Sequence, residues 1–143
     1  MSTESNIAAF RKLIEVGFTN GDLTVADELF SPEALEHQRG TKQGIEGVRG
    51  TITTLHKWFS DFELTIVKIA ADADTVWSFN RARGINTGSV MGFPPTGKSI
   101  EIDVMDIARF EDGKIVEHWG VPDQLGMLIQ LGLMQRPQPA VAR

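Results

Sequence analysis

Apolar positions in the first part of the chain recur with a helical period. Phe10, Leu13, Ile14 and Phe18 fall at i, i+3, i+4 and i+8, one face of an amphipathic helix. Asn20-Gly21 ends it, because both residues tolerate the left-handed conformation that closes a helix. Val25, Ala26, Leu29 and Phe30 predict a short second helix, with Asp22 or Thr24 as N-cap and Ser31-Pro32 as its stop. Residues 33–38 read as a short extended piece carrying His37. Ile45, Val48, Ile52, Leu55 and Phe59 place a third helix over about 44–59. Gly44, Gly47 and Gly50 weaken its first turns, so packing must hold it.

Beyond that helix the period changes to two. Residues 62–70, 75–87, 99–110 and 114–119 are rich in Val, Ile, Thr, Phe and Trp and predict strands. Asp72-Ala73-Asp74 separates the first pair, and Asp112-Gly113 is a two-residue hairpin signal between the last pair. Gly88 to Lys98 is too rich in Gly and Pro to be strand throughout. A short helix is expected at about 123–131, followed by a loose tail over 135–143. Neither a repeat nor a domain-separating linker is visible, so residues 1–143 read as one domain. Helices followed by a meander of long antiparallel strands predict an α+β fold whose sheet has one apolar face for the helices. If the sheet curls, its concave side becomes a cavity closed by those helices, of the kind that holds small molecules.

Composition narrows the chemistry. A formal charge of −5 disfavours a nucleic-acid partner. No apolar run reaches the ~20 residues of a membrane helix, and Met1-Ser2-Thr3-Glu4-Ser5 lacks the features of a secretory signal. A cytoplasmic protein without membrane association is the expectation. The chain has no cysteine, which removes disulfides and thiol catalysis, and no tyrosine, which removes a phenolic acid or donor. The histidines, His37, His56 and His118, form no paired metal motif. Neither a metal nor another cofactor is expected.

The densest polar cluster lies on residues 75–87. Thr75, Trp77, Phe79, Arg81, Arg83 and Ile85 share one face, and Val76, Ser78, Asn80, Ala82, Gly84 and Asn86 the other. Since neither face is purely apolar, either a bulge at Gly84 swaps them or one face lines a polar pocket. Arg83 or Asn86 could there hold a substrate oxygen. In the following strand Ile100, Ile102, Val104, Ala108 and Phe110 form a core-facing row interrupted by Asp106. A carboxylate in such a row either pairs with an arginine, the expectation here, or is placed for function. Asp123 opens the last helix after Trp119-Gly120-Val121-Pro122, as an N-cap or as a carboxylate at the cavity.

Several of these stretches occur together in a known family. Residues 83–88 (Arg-Gly-Ile-Asn-Thr-Gly), Gly92-Phe93-Pro94-Pro95-Thr96-Gly97-Lys98, residues 106–119 with Arg109-Phe110-Glu111-Asp112-Gly113-Lys114, and then Asp123 and Gln130-Leu131-Gly132 resemble the SnoaL-like ester cyclase (polyketide cyclase) family over nearly the whole chain. The resemblance implies the NTF2-like fold, a cone-shaped sheet whose wide end is closed by helices around a hydrophobic pocket. It implies metal-free and cofactor-free closure of the last ring of an aromatic polyketide methyl ester by intramolecular aldol condensation. An aspartate at the position of Asp123 would be the general acid/base, and a histidine in the region of His37 would contribute to the pocket. Many relatives carry histidine where this chain has Asn86, which can donate or accept but cannot take a proton.

Aldol closure needs a base for the proton alpha to a carbonyl and a donor where negative charge develops. Asp123 and His37 are the catalytic candidates. Asn86 and Arg83 are candidate substrate donors, and Trp77, Phe93 and Trp119 candidate walls. Two alternatives are an epoxide hydrolase built from Asp103, Arg83 and Asp123, and a non-catalytic binder of small molecules. Exposed sheet surface needs cover, which predicts a homodimer or homotetramer through residues 62–70 and 99–110, including Thr65, Val67 and Ile102.

Overall fold

The computed structural model describes residues 2–140. Helix α1 (Thr3–Lys12) starts at Ser2, whose hydroxyl accepts from the Ser5 amide. It runs into a π-helical stretch, Leu13–Phe18, which keeps Leu13, Ile14 and Phe18 buried beside Phe10. Asp22 caps α2 (Leu23–Leu29) by accepting from the Thr24 amide. Ser31-Pro32 does not open a gap. Strand β1 (Phe30–Glu36) begins where α2 ends and passes through both residues. A proline fits there because β1 is an edge strand.

Helix α3 (Ile45–Trp58) depends on glycine at its start. A Cβ at Gly47 would lie 1.9 Å from the Lys42 carbonyl oxygen, so a larger residue would break the turn. The strands β2 (Phe59–Asp72), β3 (Thr75–Asn86), β4 (Ser99–Glu111) and β5 (Lys114–Pro122) follow, then α4 (Gln124–Gln130). Asp112 and Gly113 both have positive φ (49° and 76°), as the tight hairpin between β4 and β5 requires.

The sheet order is β1-β5-β4-β3-β2. Neighbours are antiparallel except β1, which lies parallel to β5, so the sheet is mixed rather than antiparallel throughout. Register shifts at two places in β2 help to curve it. There is no bulge at Gly84: β3 and β4 pair without interruption from Thr75↔Arg109 to Ile85↔Ser99. Val76, Ala82, Ile100, Ile102, Ala108, Phe110 and Ile115 therefore face inward, against Phe10, Leu13, Ile14, Ile52, Met127 and Leu131. Ser78, Asn80, Asn86 and Asp106 lie on the same buried side.

Residues 135–140 form neither helix nor strand, and positions 141–143 of the expected tail lie outside the described residues. Among the described residues no helix is long and apolar enough to cross a membrane.

Candidate active site

The inward face carries a continuous polar chain. His118 on β5 sits between two carboxylates: Nδ1 lies 2.9 Å from both Glu36 oxygens and Nε2 lies 2.9 Å from Asp106 Oδ1. Asp106 Oδ2 accepts from Asn80 Nδ2 at 2.7 Å, and the same nitrogen donates to Ser78 Oγ at 3.0 Å. At the other end Glu36 Oε1 accepts from the Gln38 amide at 3.0 Å. All three ionisable side chains are buried, His118 to 6% residual exposure.

One extra residue in β5 creates this meeting. Next to the hairpin turn, Phe110 pairs with Ile115, but Arg109 pairs with Glu117. Val116 is the unpaired residue of a β-bulge, and it reverses the alternation of β5 beyond it. Without it, His118 would fall on the outer face. With it, His118 pairs with Ala108, and Asp106 with Gly120, on the buried side. Parallel pairing of β1 then brings Glu36 opposite His118.

Burial alone would drive the imidazole toward its neutral form. Hydrogen bonds and charge attraction from Asp106 and Glu36 outweigh it, and the His118 pKa is pushed up to about 10. The site is thus a buried imidazolium bracketed by two carboxylates. Asp106 pairs with a histidine rather than with the arginine expected from the sequence. Among the described residues, no group of three or more His, Asp and Glu side chains is arranged to hold a metal ion.

The residues singled out from the sequence are dispersed. Asp123 is exposed and caps α4, its Oδ1 accepting from the Gly126 amide at 2.9 Å. His37 is half exposed. Its ring stacks on Trp119 with centroids 4.7 Å apart, and Nε2 meets Glu117 at 2.7 Å. Arg109 first, and then His37, hold the Glu117 carboxyl below its usual range. Asn86 is fully buried but fully occupied. Its amide donates to the Trp58 and Gly88 carbonyls and accepts from Thr96 N and Oγ1. Phe93 is exposed in the loop between β3 and β4.

Arg83, Trp77 and Trp119 belong to the outer face. Arg83 pairs there with Glu101 and lines an open depression of about 400 Å³ with Asp61, Ile100 and Gln130. Asp103 points outward and pairs with Arg81 at 3.3 Å. The Asp103–Arg83–Asp123 trio of an epoxide hydrolase therefore does not assemble inside the sheet. Trp77, Met105 and Val121 are each at least half exposed and make an apolar band across this face, with exposed Leu35 beside it in the row of Glu117. Arg81–Asp103 and Arg83–Glu101 border the band on one side, and Arg109–Glu117 on the other. Ile102, expected on an outer interface, is buried on the opposite side.

The family model for SnoaL-like polyketide cyclases matches residues 8–131. The chain belongs to this family. Aklanonic acid methyl ester cyclase DnrD of Streptomyces peucetius is 31% identical over 140 residues, which cover 92% of each chain. Nogalonic acid methyl ester cyclase of Streptomyces nogalater is 29% identical over 112 residues, covering 78% of this chain and 82% of that one. Among solved structures, IdmH of Streptomyces antibioticus superposes with a TM-score of 0.79 at 34% identity, covering 89% of this chain and 98% of that one. The architecture of this SnoaL-like chain is accordingly the NTF2-like α+β fold, a curved sheet with helices on its concave side.

Proposed function

We infer that this SnoaL-like protein is a cofactor-independent ester cyclase, acting on a small hydrophobic polyketide carbonyl compound by intramolecular aldol addition. The observation that carries the reading is the buried Glu36–His118–Asp106 array on the concave wall. The cyclase names of its relatives supply the substrate class. Asp106 would take the proton from the carbon alpha to the ester. The resulting enolate attacks the ketone carbon of the same molecule, forming the new carbon–carbon bond. The ketone oxygen becomes an alkoxide, and Asp106 returns the proton to it. No other reactant is consumed.

His118 supplies positive charge beside the developing enolate and alkoxide, where low dielectric strengthens it. Glu36 holds the ring from behind, as a carboxylate does for a working histidine. The surrounding apolar side chains exclude water and hold the flexible ester folded on itself.

Turnover of aklanonic acid methyl ester, followed by chromatography of the ring-closed product, tests this. Asp106→Asn keeps the size but cannot move a proton, and it replaces one of two accepting oxygens with a donor; a loss of ~10²–10⁴-fold is expected. Turnover within a few-fold of the parent would remove Asp106 from the mechanism. Asp123, at the position implied by family resemblance, is then the next base to examine.

The outer band supports a second part of the proposal. It is apolar at its centre and ion-paired along both margins, which suits a second copy of the same sheet in a homodimer or a tetramer of such pairs.

A further inference from the structure

Asn80 sits at the centre of β3 with no exposed surface. Both of its nitrogen contacts are accounted for, by Asp106 and Ser78. Its oxygen has no hydrogen-bond partner among the described residues. Buried polar atoms are ordinarily paired, and an acceptor left alone is costly.

The amide cannot relieve this by turning over. Asp106 already accepts from His118 with one oxygen and from Asn80 with the other. Turning the amide would set its oxygen against that carboxylate and lose a 2.7 Å bond. The contact with Asp106 therefore fixes which way Oδ1 points. Its cross-strand neighbours are Ile66 on β2 and Val104 on β4, and Ala82 follows on the same face. None of these side chains has a donor. Ile66 and Val104 are only partly buried, unlike Val76 and Ala108 at the other end of the strands. The unpaired oxygen thus belongs to a residue flanked by two partly buried apolar neighbours, with Leu64, Ala82 and Ile102 buried beyond them, and held directly against the proton-moving carboxylate.

We propose that Asn80 is a specificity-determining residue: its side-chain oxygen accepts a hydrogen bond from a hydroxyl group of the substrate, so that the site selects phenolic or enolic carbonyl compounds. This deepens the cyclase reading and rests on it for the reaction, though not for binding. One planar amide holds Asp106 with its nitrogen and the substrate hydroxyl with its oxygen. The hydroxyl and the reacting carbon are thereby set at a fixed separation from the base. Asn80 and Asp106 form a single recognition unit across β3 and β4.

The test compares an aromatic β-keto ester bearing a free phenolic hydroxyl with its phenolic methyl ether. Titration calorimetry gives Kd for both compounds on the parent and on Asn80→Ala and Asn80→Ser, and turnover is read in parallel. The parent is expected to prefer the free phenol by about 10–100-fold, the range of one well-made hydrogen bond in a dry site. In Asn80→Ala the preference falls to within about threefold. Equal affinity of the parent for both compounds overturns the proposal, and that comparison holds even if neither variant folds. A variant that weakens both compounds equally also overturns it, leaving Asn80 only as support for Asp106. Preferential binding without ring closure keeps the hydroxyl contact and removes the cyclase reading. Ring closure without preference does the reverse. Failure of the parent to bind either compound defeats both.

Discussion

Replacing His118 by Gln measures what the buried array contributes to the fold. In the parent an imidazolium lies between Glu36 and Asp106, and the two carboxylates share one positive charge. Glutamine carries no charge, and its one amide nitrogen cannot reach both carboxylates, which lie on opposite ring nitrogens of His118. The change leaves two buried acids without compensation, and breaking a buried ion pair in this way costs about 3–5 kcal/mol. In urea, with a slope of ~2 kcal/mol per molar for a chain of this size, the midpoint should fall by about 1.5–2.5 M at pH 7.

The pH profile gives an independent check. In the folded parent the His118 pKa is about 10, against ~6.5 when unfolded. Between those values the native state holds a proton that the unfolded state has lost. Parent stability is therefore complete below about pH 6.5 and falls as pH rises toward 10, by ~1.4 kcal/mol per unit. His118→Gln lacks that decline. A midpoint change worth under about 1 kcal/mol, or a parent whose stability is flat from pH 7 to 9, would refute the array as a charged, stabilising unit.

Asp123→Ala should cost ~0.5–2 kcal/mol through loss of the α4 cap, while Asp123→Asn should keep both stability and turnover. A ~10²-fold loss of turnover in Asp123→Asn would make Asp123 the base after all. Trp77→Glu sets a charge in the middle of the outer band, and if the parent scatters light as a dimer or tetramer the variant should scatter as a monomer. A parent that already scatters as a monomer at micromolar concentration contradicts the pairing. Asn86→Ala leaves the partners of four hydrogen bonds unmet and should destabilise by about 2–3 kcal/mol in urea. A loss below about 0.5 kcal/mol would mean that this amide holds nothing together.

Periodicity made most of the elements readable. Helix α3 and strand β4 have apolar rows long enough to set both type and face. Strand β1 was harder, because Ser31-Pro32 reads as a stop, and only its edge position in the sheet explains why proline is tolerated. Asp106 stood out as a carboxylate in an apolar row, but its partner did not. Counting outward from Asp112-Gly113 in a regular hairpin places His118 on the wrong face, and only the extra residue at Val116 brings it inside. Bulges leave little mark in composition, and Glu36 lies 82 residues from His118, so the array depends on registers that local sequence does not encode. The outward orientation of Arg83 and Trp77 follows from the same alternation that buries Asn80. The mixed polarity of β3 nevertheless left open which of its faces was buried.

Asn86 ties the loop between β3 and β4 at both ends through one side chain, holding the Gly88 carbonyl on one side and Thr96 on the other. Between these points Val90 is anchored in the core at 1% exposure, and residues 91–95 form an exposed lobe beyond it. Lengthening a tethered lobe costs little, since closure entropy grows only with the logarithm of its length and each doubling adds about 0.6 kcal/mol. Segments of different size or sequence can therefore be exchanged between Val90 and Thr96, with Val90 kept in the core, without disturbing the strands that carry Asp106 and Asn80. This makes the lobe a natural place for grafting and for the divergence of one cyclase from another.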